Sequence, residues 1–142
     1  ALELGHYVAD SEMFVLWKKR LKQEDAQKGW IIDGFPRNLR QAKFLFTKVS
    51  KYGYKVDKVF YLKVSEEESL NRLRLRNREQ FIGAGKSHDD PRLVKSRLSE
   101  FAKGQRELLR FFQQQGTLEE IDGERSIDEI HKDIMERIKN DK

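Results

Sequence analysis

The chain has 142 residues, of which 37% are hydrophobic and 37% charged, and 29 Lys and Arg against 24 Asp and Glu give a net charge of +5. This length predicts one domain, spanning residues 1–142, and nine Phe residues argue against intrinsic disorder. The lack of Cys excludes disulfides, thiol catalysis and thiolate metal sites, while the basic charge suits a phosphate-bearing partner. No apolar run approaches the ~18 residues that span a bilayer, so we expect a cytoplasmic protein without membrane contact.

The first half of the chain contains two stretches of helical spacing separated by a short apolar run. Apolar residues recur at helical intervals after Asp10 and Ser11, both good N-cap types, and predict a helix over residues 11–28. Residues 30–32 (Trp-Ile-Ile) are too few for a helix and precede a turn sequence, which predicts a buried parallel strand. Helical spacing then returns over residues 39–52.

The second half continues the alternation of strands and helices. Its predicted elements are, in chain order, a strand at 59–64, a helix that a Ser65–Glu68 capping box opens and that runs to Arg76, a loop at 80–88, a long helix from Pro91 to near Gly116, a strand at 117–121, and a last helix behind a Ser126–Glu129 capping box. This order indicates an α/β fold with a parallel sheet, in which ligands bind beyond the carboxyl ends of the strands. Candidate functional residues therefore follow Ile32, Val64 and Ile121.

The most specific segment is residues 29–41, Gly-Trp-Ile-Ile-Asp-Gly-Phe-Pro-Arg-Asn-Leu-Arg-Gln. After a predicted strand it supplies a carboxylate, a conformationally free Gly, a rigid Pro and a guanidinium. Asp33 is suited to hold a hydrated Mg²⁺, and Arg37 to bind phosphate oxygens through its planar fork. The alternative is an ordinary strand-to-helix turn in which Asp33 is a capping residue.

This segment resembles the signature of the adenylate kinase family, the nucleoside monophosphate kinases that exchange a phosphoryl group between ATP and AMP. The resemblance implies a three-layer, P-loop-NTPase-like parallel sheet flanked by helices. It also implies that Val8, in Gly-His-Tyr-Val-Ala-Asp at residues 5–10, lies against the adenine of AMP and that Gln41 reads the base edge. Gly34 and Arg37 complete the AMP site that it implies in this segment.

Two arginines one helical turn apart, Arg72 and Arg76, are similar to the family's pair that binds ATP. Their i, i+4 spacing puts both on one helix face, where one guanidinium can stack on the adenine and the other can reach the phosphates. A solvated basic face is the alternative interpretation of this pair. Near the end, Gly123 and Arg125 resemble the family's turn against the ATP adenine, although a Gly turn before a capped helix is common.

Residues from about 77 to 90 resemble the short lid of the family, because only a loop fits there and no Cys is present for a zinc-bearing lid. Arg97 matches a family arginine after the lid by its spacing from Phe101. Lys86 and His88 stand where the family usually has an arginine and an aspartate. Lys keeps the charge without the bidentate fork, and Arg78 and Arg92 are the alternatives to Lys86.

The resemblance implies the reaction ATP + AMP = 2 ADP, with Mg²⁺ carried by ATP and held through water by Asp33. Arg37, Arg76, Lys86 and Arg97 would surround the transferring phosphoryl group and Arg97 would also contact AMP. Such a transfer needs positioning and cations more than covalent help from the protein. No nucleic acid or membrane is implied as a partner.

The family's Gly-rich phosphate loop and its central strand have no counterpart in this sequence. Residues 83–87 (Gly-Ala-Gly-Lys-Ser) end like such a loop but have Gln80 where its first Gly belongs, and they follow a basic helical stretch. The resemblance therefore aligns the chain with the C-terminal two thirds of the family domain. We expect an N-terminal segment or a second chain to complete the sheet, and these 142 residues alone to be inactive.

Three further hypotheses remain open from the sequence. A nucleotide-binding or scaffold protein without catalytic activity would lack a phosphate loop naturally. A basic RNA-binding domain would explain the charge but not residues 33–37. A UMP/CMP kinase is indicated by Asn38 directly after Arg37, which is common in that branch, whereas Gln41 favours AMP.

Overall fold

A computed structural model describes residues 9–79 and 91–140, so Val8, Lys86 and the predicted loop at 80–88 lie outside the described residues. The elements are α1 (Asp10–Leu21), a 3₁₀ helix (Glu24–Lys28), α2 (Leu39–Lys51), β1 (Val59–Lys63), α3 (Glu66–Glu79), α4 (Pro91–Gln114), β2 (Leu118–Asp122) and α5 (Ile127–Lys139). The mixed α/β class is confirmed.

The two strands of the described residues form a parallel sheet. Val59 lies opposite Leu118 and Lys63 opposite Asp122, so the carboxyl ends of β1 and β2 coincide. The side chain of Ile121 on β2 is fully buried, and α4 and α5 both pack against this strand. A small parallel sheet flanked by helices therefore places the ends of both strands at one edge.

The prediction of a strand at residues 30–32 is wrong for this structure. Residues 30–33 carry no regular secondary structure, and the side chain of Ile31 is 95% exposed. A strand requires a neighbour for its backbone N–H and C=O groups, and within the described residues β1 and β2 pair only with each other. The apolar run thus has the composition of a buried strand without a partner strand among these residues.

The predicted single helix over residues 11–28 is also wrong in its extent. α1 ends at Leu21, Gln23 is extended, and the 3₁₀ helix follows. The residues at the break are all polar, so nothing there packs to continue an amphipathic helix. Asp10 is not the N-cap: this position belongs to Ala9, and Asp10 is the first residue of the helix.

Aromatic side chains join α1 and α2 in the first part of the core. Leu21, Phe35, Leu45 and Val49 are buried together. The ring of Phe14 stacks on that of Phe44, with 3.9 Å between their centroids, and Trp17 stacks on Phe35 at 5.2 Å. Phe35 thereby anchors the turn between these two helices in the apolar core.

A second group of buried residues joins α2, α4 and the sheet. Ala42 from α2 packs with Leu108 and Phe112 from α4, and Val59 and Leu118 from the two strands lie against them. Leu108 and Phe112 are both buried. α4 therefore connects the turn region before α2 with the sheet.

Capping explains where α3 and α5 begin. Ser126 and Glu129 form both halves of the predicted capping box. At α3 the Ser65 hydroxyl accepts from the Glu68 N–H, but the Glu68 carboxylate pairs with Arg72 instead of completing the box. Among the helices of the described ranges, none is long and apolar enough to cross a membrane.

Candidate nucleotide site

The turn before α2 brings Asp33, Gly34 and Arg37 together. Gly34 has a φ of +79°, which L side chains rarely adopt, and the Nη2 atom of Arg37 lies 3.4 Å from where a Cβ would stand. The Nε of Arg37 donates to the carbonyl oxygen of Gly34 at 2.6 Å. The Phe35–Pro36 peptide is cis and Asp33 is exposed. The turn thus folds the Arg37 side chain back over a position that only Gly fits well.

Gln41, in the first turn of α2, holds the segment around Arg37 through hydrogen bonds of its side chain. Its side-chain oxygen accepts from the backbone N–H of Arg37 at 2.7 Å, and its Nε2 donates to the carboxylate of Asp10 at 2.7 Å. The residue is 2% exposed. Asn38 is the N-cap of α2 and its side chain accepts from the Gln41 N–H at 2.8 Å. The side chain of Gln41 therefore fixes the Arg37 backbone just before α2, and the side chain of Asn38 caps the helix itself.

α4 approaches the same turn at Gly104. A Cβ at this position would lie 3.6 Å from Cβ of Asn38 and 3.7 Å from the carbonyl oxygen of Arg37. Arg97 belongs to α4 seven residues earlier, which places it about 10 Å along the axis and on the same helix face. The structure describes the backbone position of Arg97 but not its side chain.

The carboxyl ends of the strands carry the second group of candidate residues. Gly123, after β2, donates its N–H to the carbonyl oxygen of Lys63 at 3.0 Å. A Cβ at Gly123 would lie 2.6 Å from the side chain of Val64 and 3.2 Å from that carbonyl. The Ser65 hydroxyl donates to Glu124 at 2.7 Å. The segments that follow β1 and β2 are thereby packed directly against one another.

Arg125 is held in this region by carboxylates. Its Nη2 donates to Asp133 on α5 at 2.7 Å and its Nε to the carbonyl oxygen of Asp122 at 3.2 Å. The hydrogen bond from Arg125, followed by that from Arg137, lowers the pKa of Asp133. Arg137 also donates to Glu119 on β2 at 2.8 Å. A chain of ion pairs therefore links the turn after β2 to the last helix.

The predicted arginine pair lies on α3, which begins directly after β1. Arg72 and Arg76 are both exposed, one turn apart. The Nε of Arg72 donates to Glu68 at 2.8 Å. α3 starts where β1 ends, so its first turn lies at the same edge of the sheet as Gly123, and Arg72 and Arg76 follow in the next turns of the helix.

The predicted site residues thus fall into two groups. Gly34, Arg37 and Gln41 share one turn, whereas Arg72, Arg76, Gly123 and Arg125 follow the carboxyl ends of the strands. α4 touches the first group at Gly104 and packs against the first residues of β1 and β2, which lie at the end of the sheet away from the second group. Val8 and Lys86 lie outside the described residues.

The described residues contain no cluster of three or more His, Asp or Glu that would form a metal site by itself. Mg²⁺ at nucleotide sites keeps several waters and takes one or two carboxylates together with phosphate oxygens. The exposed carboxylate of Asp33, next in sequence to the Gly34 that Arg37 contacts, fits this kind of site.

Two residues contribute to the site although their sequence patterns point elsewhere. Asp10 has the pattern of a helix cap, and its contact with Gln41 spans 31 residues, which no local signal reveals. Gly104 has no neighbouring turn residue that marks it. One signal is present in the sequence: Asn38 and Gln41 stand at capping-box spacing, which accounts for the bond from the Gln41 N–H to Asn38, whereas the Gln41 side chain accepts from Arg37 and not from the N-cap residue.

Comparison with known proteins shows the family to which the chain belongs. A family model described as adenylate kinase matches residues 1–117. The adenylate kinase of Stenotrophomonas maltophilia is 33% identical over 138 residues, covering 97% of this chain and 72% of that protein. Those of Staphylococcus aureus and Staphylococcus epidermidis are 31% and 30% identical, each covering 95% of this chain and 74% of the relative. The chain therefore belongs to the adenylate kinase family of nucleoside monophosphate kinases.

Proposed function

We propose that this chain carries the AMP site and part of the ATP site of an enzyme that transfers the terminal phosphoryl group of ATP to AMP. The observation that supports this most directly is the turn at Arg37. Its backbone is fixed by Gln41 and its side chain by Gly34, so a guanidinium is held in place before any ligand binds. Preorganised cations of this kind stabilise charge on a transferring phosphoryl group without reorganising during the reaction.

The two groups of residues have separate roles in this proposal. Gly34, Arg37, Gln41 and, outside the described residues, Val8 bind AMP, with Arg97 approaching along α4. Arg72 and Arg76 bind the adenine and phosphates of ATP, and the turn at Gly123 and Arg125 packs against that adenine. Arg37, Arg76, Lys86 and Arg97 share the charge of the transferring group. Their task is to orient both phosphates in line and to exclude water.

Mg²⁺, bound to the ATP phosphates, would neutralise charge on the phosphate oxygens. Asp33 is the residue that we propose to hold it through water. The support is the exposure of this carboxylate and its place four residues before Arg37 in the same turn. The protein's own contribution is to keep the carboxylate and the guanidinium at one edge of the site.

We propose AMP and not a pyrimidine nucleotide as the phosphate acceptor, and the structural role of Asn38 supports this choice. The sequence hypothesis of a UMP/CMP kinase depends on Asn38 following Arg37. The side chain of Asn38 caps α2 by accepting from the Gln41 N–H, so helix capping explains this residue without reference to a base. Gln41, which favours AMP, is then the residue that distinguishes the two kinds of kinase.

We further propose that a phosphate loop and a strand from outside these 142 residues complete the site. Residues 30–33 have no regular secondary structure and no strand partner among the described residues. Ile31 is 95% exposed, and Leu62 on β1 is 46% exposed. Apolar side chains of this size are usually covered. The relatives extend beyond the region that this chain matches, which leaves length for such a segment.

Calorimetric titration with a bisubstrate mimic, two adenosines joined by five phosphates, tests these proposals. We would compare the 142-residue chain with a longer version that includes the residues encoded upstream, and with the Arg37→Ala variant of that version. The expected result is tight binding by the longer version, much weaker binding by the 142 residues, and weakened binding by the variant.

The alternatives give different results. Equally tight binding by both versions would show that no further segment is needed. Absence of binding by either would exclude the kinase and leave the scaffold hypothesis. Binding of the mimic without any phosphoryl transfer from ATP to AMP would indicate a nucleotide-binding protein without catalytic activity.

A further inference from the structure

Asp10, at the start of α1, provides a tertiary contact that fixes the side chain of Gln41. Gln41 is the one buried polar side chain among the described residues. Both ends of its amide are bonded, Nε2 to Oδ1 of Asp10 and Oε1 to the N–H of Arg37, each at 2.7 Å. A buried amide costs free energy unless such bonds are made, so the burial of Gln41 depends on Asp10.

The chemistry of the two partners allows only one orientation of the amide. A carboxylate accepts hydrogen bonds and a backbone N–H donates them. If the amide of Gln41 rotated by half a turn, its oxygen would face the carboxylate of Asp10 and its NH₂ group would face the N–H of Arg37. Both contacts would become repulsive. Asp10 and the Arg37 backbone therefore determine which side of the amide is the donor.

The carboxylate of Asp10 is itself oriented. Its side chain is 22% exposed, and its second oxygen, Oδ2, lies 3.9 Å from Nε of Arg40. Arg40 is 77% exposed, so this ion pair contributes little to stability. It nevertheless lies on the side of the carboxylate away from Gln41, which leaves Oδ1 for the amide.

We propose that Asp10 is a positioning residue that fixes the orientation of the Gln41 amide, and through it the Arg37 backbone, and so sets the base selectivity of the phosphate-acceptor site. The selectivity follows from donor and acceptor order. The adenine edge offers an N6–H donor and an N1 acceptor, whereas hypoxanthine, a purine of the same size, offers an O6 acceptor and an N1–H donor. After the bonds to Asp10 and Arg37, the amide keeps one N–H and one oxygen lone pair for a base that displaces its cover in the free protein, so a fixed amide matches one order and a rotated amide the other. This inference rests on the proposed function, because it assumes that Gln41 reads the acceptor base.

The test uses Asp10→Asn and Asp10→Leu in the version of the protein that includes the upstream residues. Asn keeps one acceptor oxygen but adds a donor, so it permits the rotated amide, whereas Leu removes both. Ser11→Ala is the matched control, because Ser11 is the exposed neighbour in the same turn of α1. Hydrogen exchange of the Arg37 amide is measured first, since it requires no activity. The kcat and KM for AMP, IMP and ATP follow.

We expect exchange at the Arg37 amide to be about tenfold faster in Asp10→Leu, in line with the loss of a hydrogen bond to a charged group. The preference for AMP over IMP should fall about tenfold in Asp10→Asn, while the KM for ATP stays as in Ser11→Ala. If Asp10 had a purely structural role, its substitution would weaken the use of AMP and IMP equally and leave the preference for AMP over IMP unchanged. That result would overturn the proposed role of Asp10 in base selectivity.

Failure of this proposal is distinguishable from failure of the proposed function. Unchanged exchange at Arg37 in both variants would overturn the positioning role, whatever the activity. Faster exchange in a protein that phosphorylates neither AMP nor IMP would support the positioning of Arg37 and refute the kinase proposal together with its base selectivity.

Discussion

The turn before α2 and the turn after β2 are held by different forces. In the first, Gln41 is buried and joins Arg37 to Asp10 through an uncharged amide. In the second, Arg125 and Arg137 are about one-third exposed and are held by the carboxylates of Asp133 and Glu119. Buried hydrogen bonds specify one geometry and resist salt, whereas partly exposed ion pairs are screened and titrate. The geometry of the residues that we propose to bind AMP is thus more rigidly specified than that of the residues that we propose to contact the adenine of ATP.

The largest effect is expected from Arg37→Ala, which removes the charge and the side-chain hydrogen bond to Gly34 but keeps the bond from the backbone N–H of residue 37 to Gln41. We expect kcat to fall by about 100- to 1,000-fold, as for other preorganised charges, with little change in unfolding free energy. Steady-state kinetics and urea unfolding measure the two effects. Arg106→Ala, an exposed arginine on α4, is the control. A variant that is active and equally stable would remove Arg37 from the site.

Gly123→Ala tests whether the turn after β2 also has a strict packing requirement. The added Cβ would lie 2.6 Å from Val64 and 3.2 Å from the carbonyl oxygen of Lys63, so the backbone must shift. We expect a loss of about 1–3 kcal/mol in unfolding free energy, measured by urea denaturation. Ser99→Ala, on the exposed face of α4, is the control. Gly53→Ala is unsuitable because Gly53 has a positive φ, so an alanine there would be strained whatever the space around it. Unchanged stability would mean that this turn adapts easily.

Gln41→Met preserves the size of the side chain but leaves the Arg37 N–H and the Asp10 carboxylate without their amide partner. A loss of about 1–3 kcal/mol is expected, because buried groups without partners keep their desolvation cost. The loss should be nearly equal in low salt and in 1 M NaCl. Gln113→Met, at an exposed position of α4, controls for the chemical change. Strong dependence on salt would contradict the contrast between the two turns.

The ion pairs near α5 should make stability depend on acid and on salt. Hydrogen bonds from Lys58 and then Arg137 lower the pKa of Glu119, and those from Arg125 and then Arg137 lower that of Asp133. Their folded-state pKa values lie below the unfolded values of about 4, so the stabilisation is complete above that pH and is lost as pH falls through the folded-state values.

Urea unfolding between pH 3 and 7 measures this dependence. We expect Asp133→Asn to lower stability at pH 7 and to flatten the decline in acid, with both effects reduced in 1 M NaCl. Asp128→Asn, exposed in the first turn of α5, is the control. An acid decline that is unchanged in Asp133→Asn would assign it to other carboxylates.

Most elements follow from local patterns. Clear apolar spacing and terminal residues predict the helices α2, α4 and α5. The strands β1 and β2 lie within one or two residues of their predicted positions. Residues 30–32 have the same strand-like composition but no partner strand among the described residues, because pairing is a property of the neighbour and not of the segment. The polar residues after Leu21 likewise end α1 where periodicity alone predicts a longer helix.

The sequence by itself determined the α/β class, the helix cap at Ser126, and the resemblance carried by residues 29–41, because these depend on residues close together in the chain. The tertiary structure alone brought Asp10 to Gln41 across 31 residues and placed Gly104 against the Arg37 turn. Hydrogen-bond partners and close approaches between distant segments depend on how helices pack, and no local pattern encodes that packing.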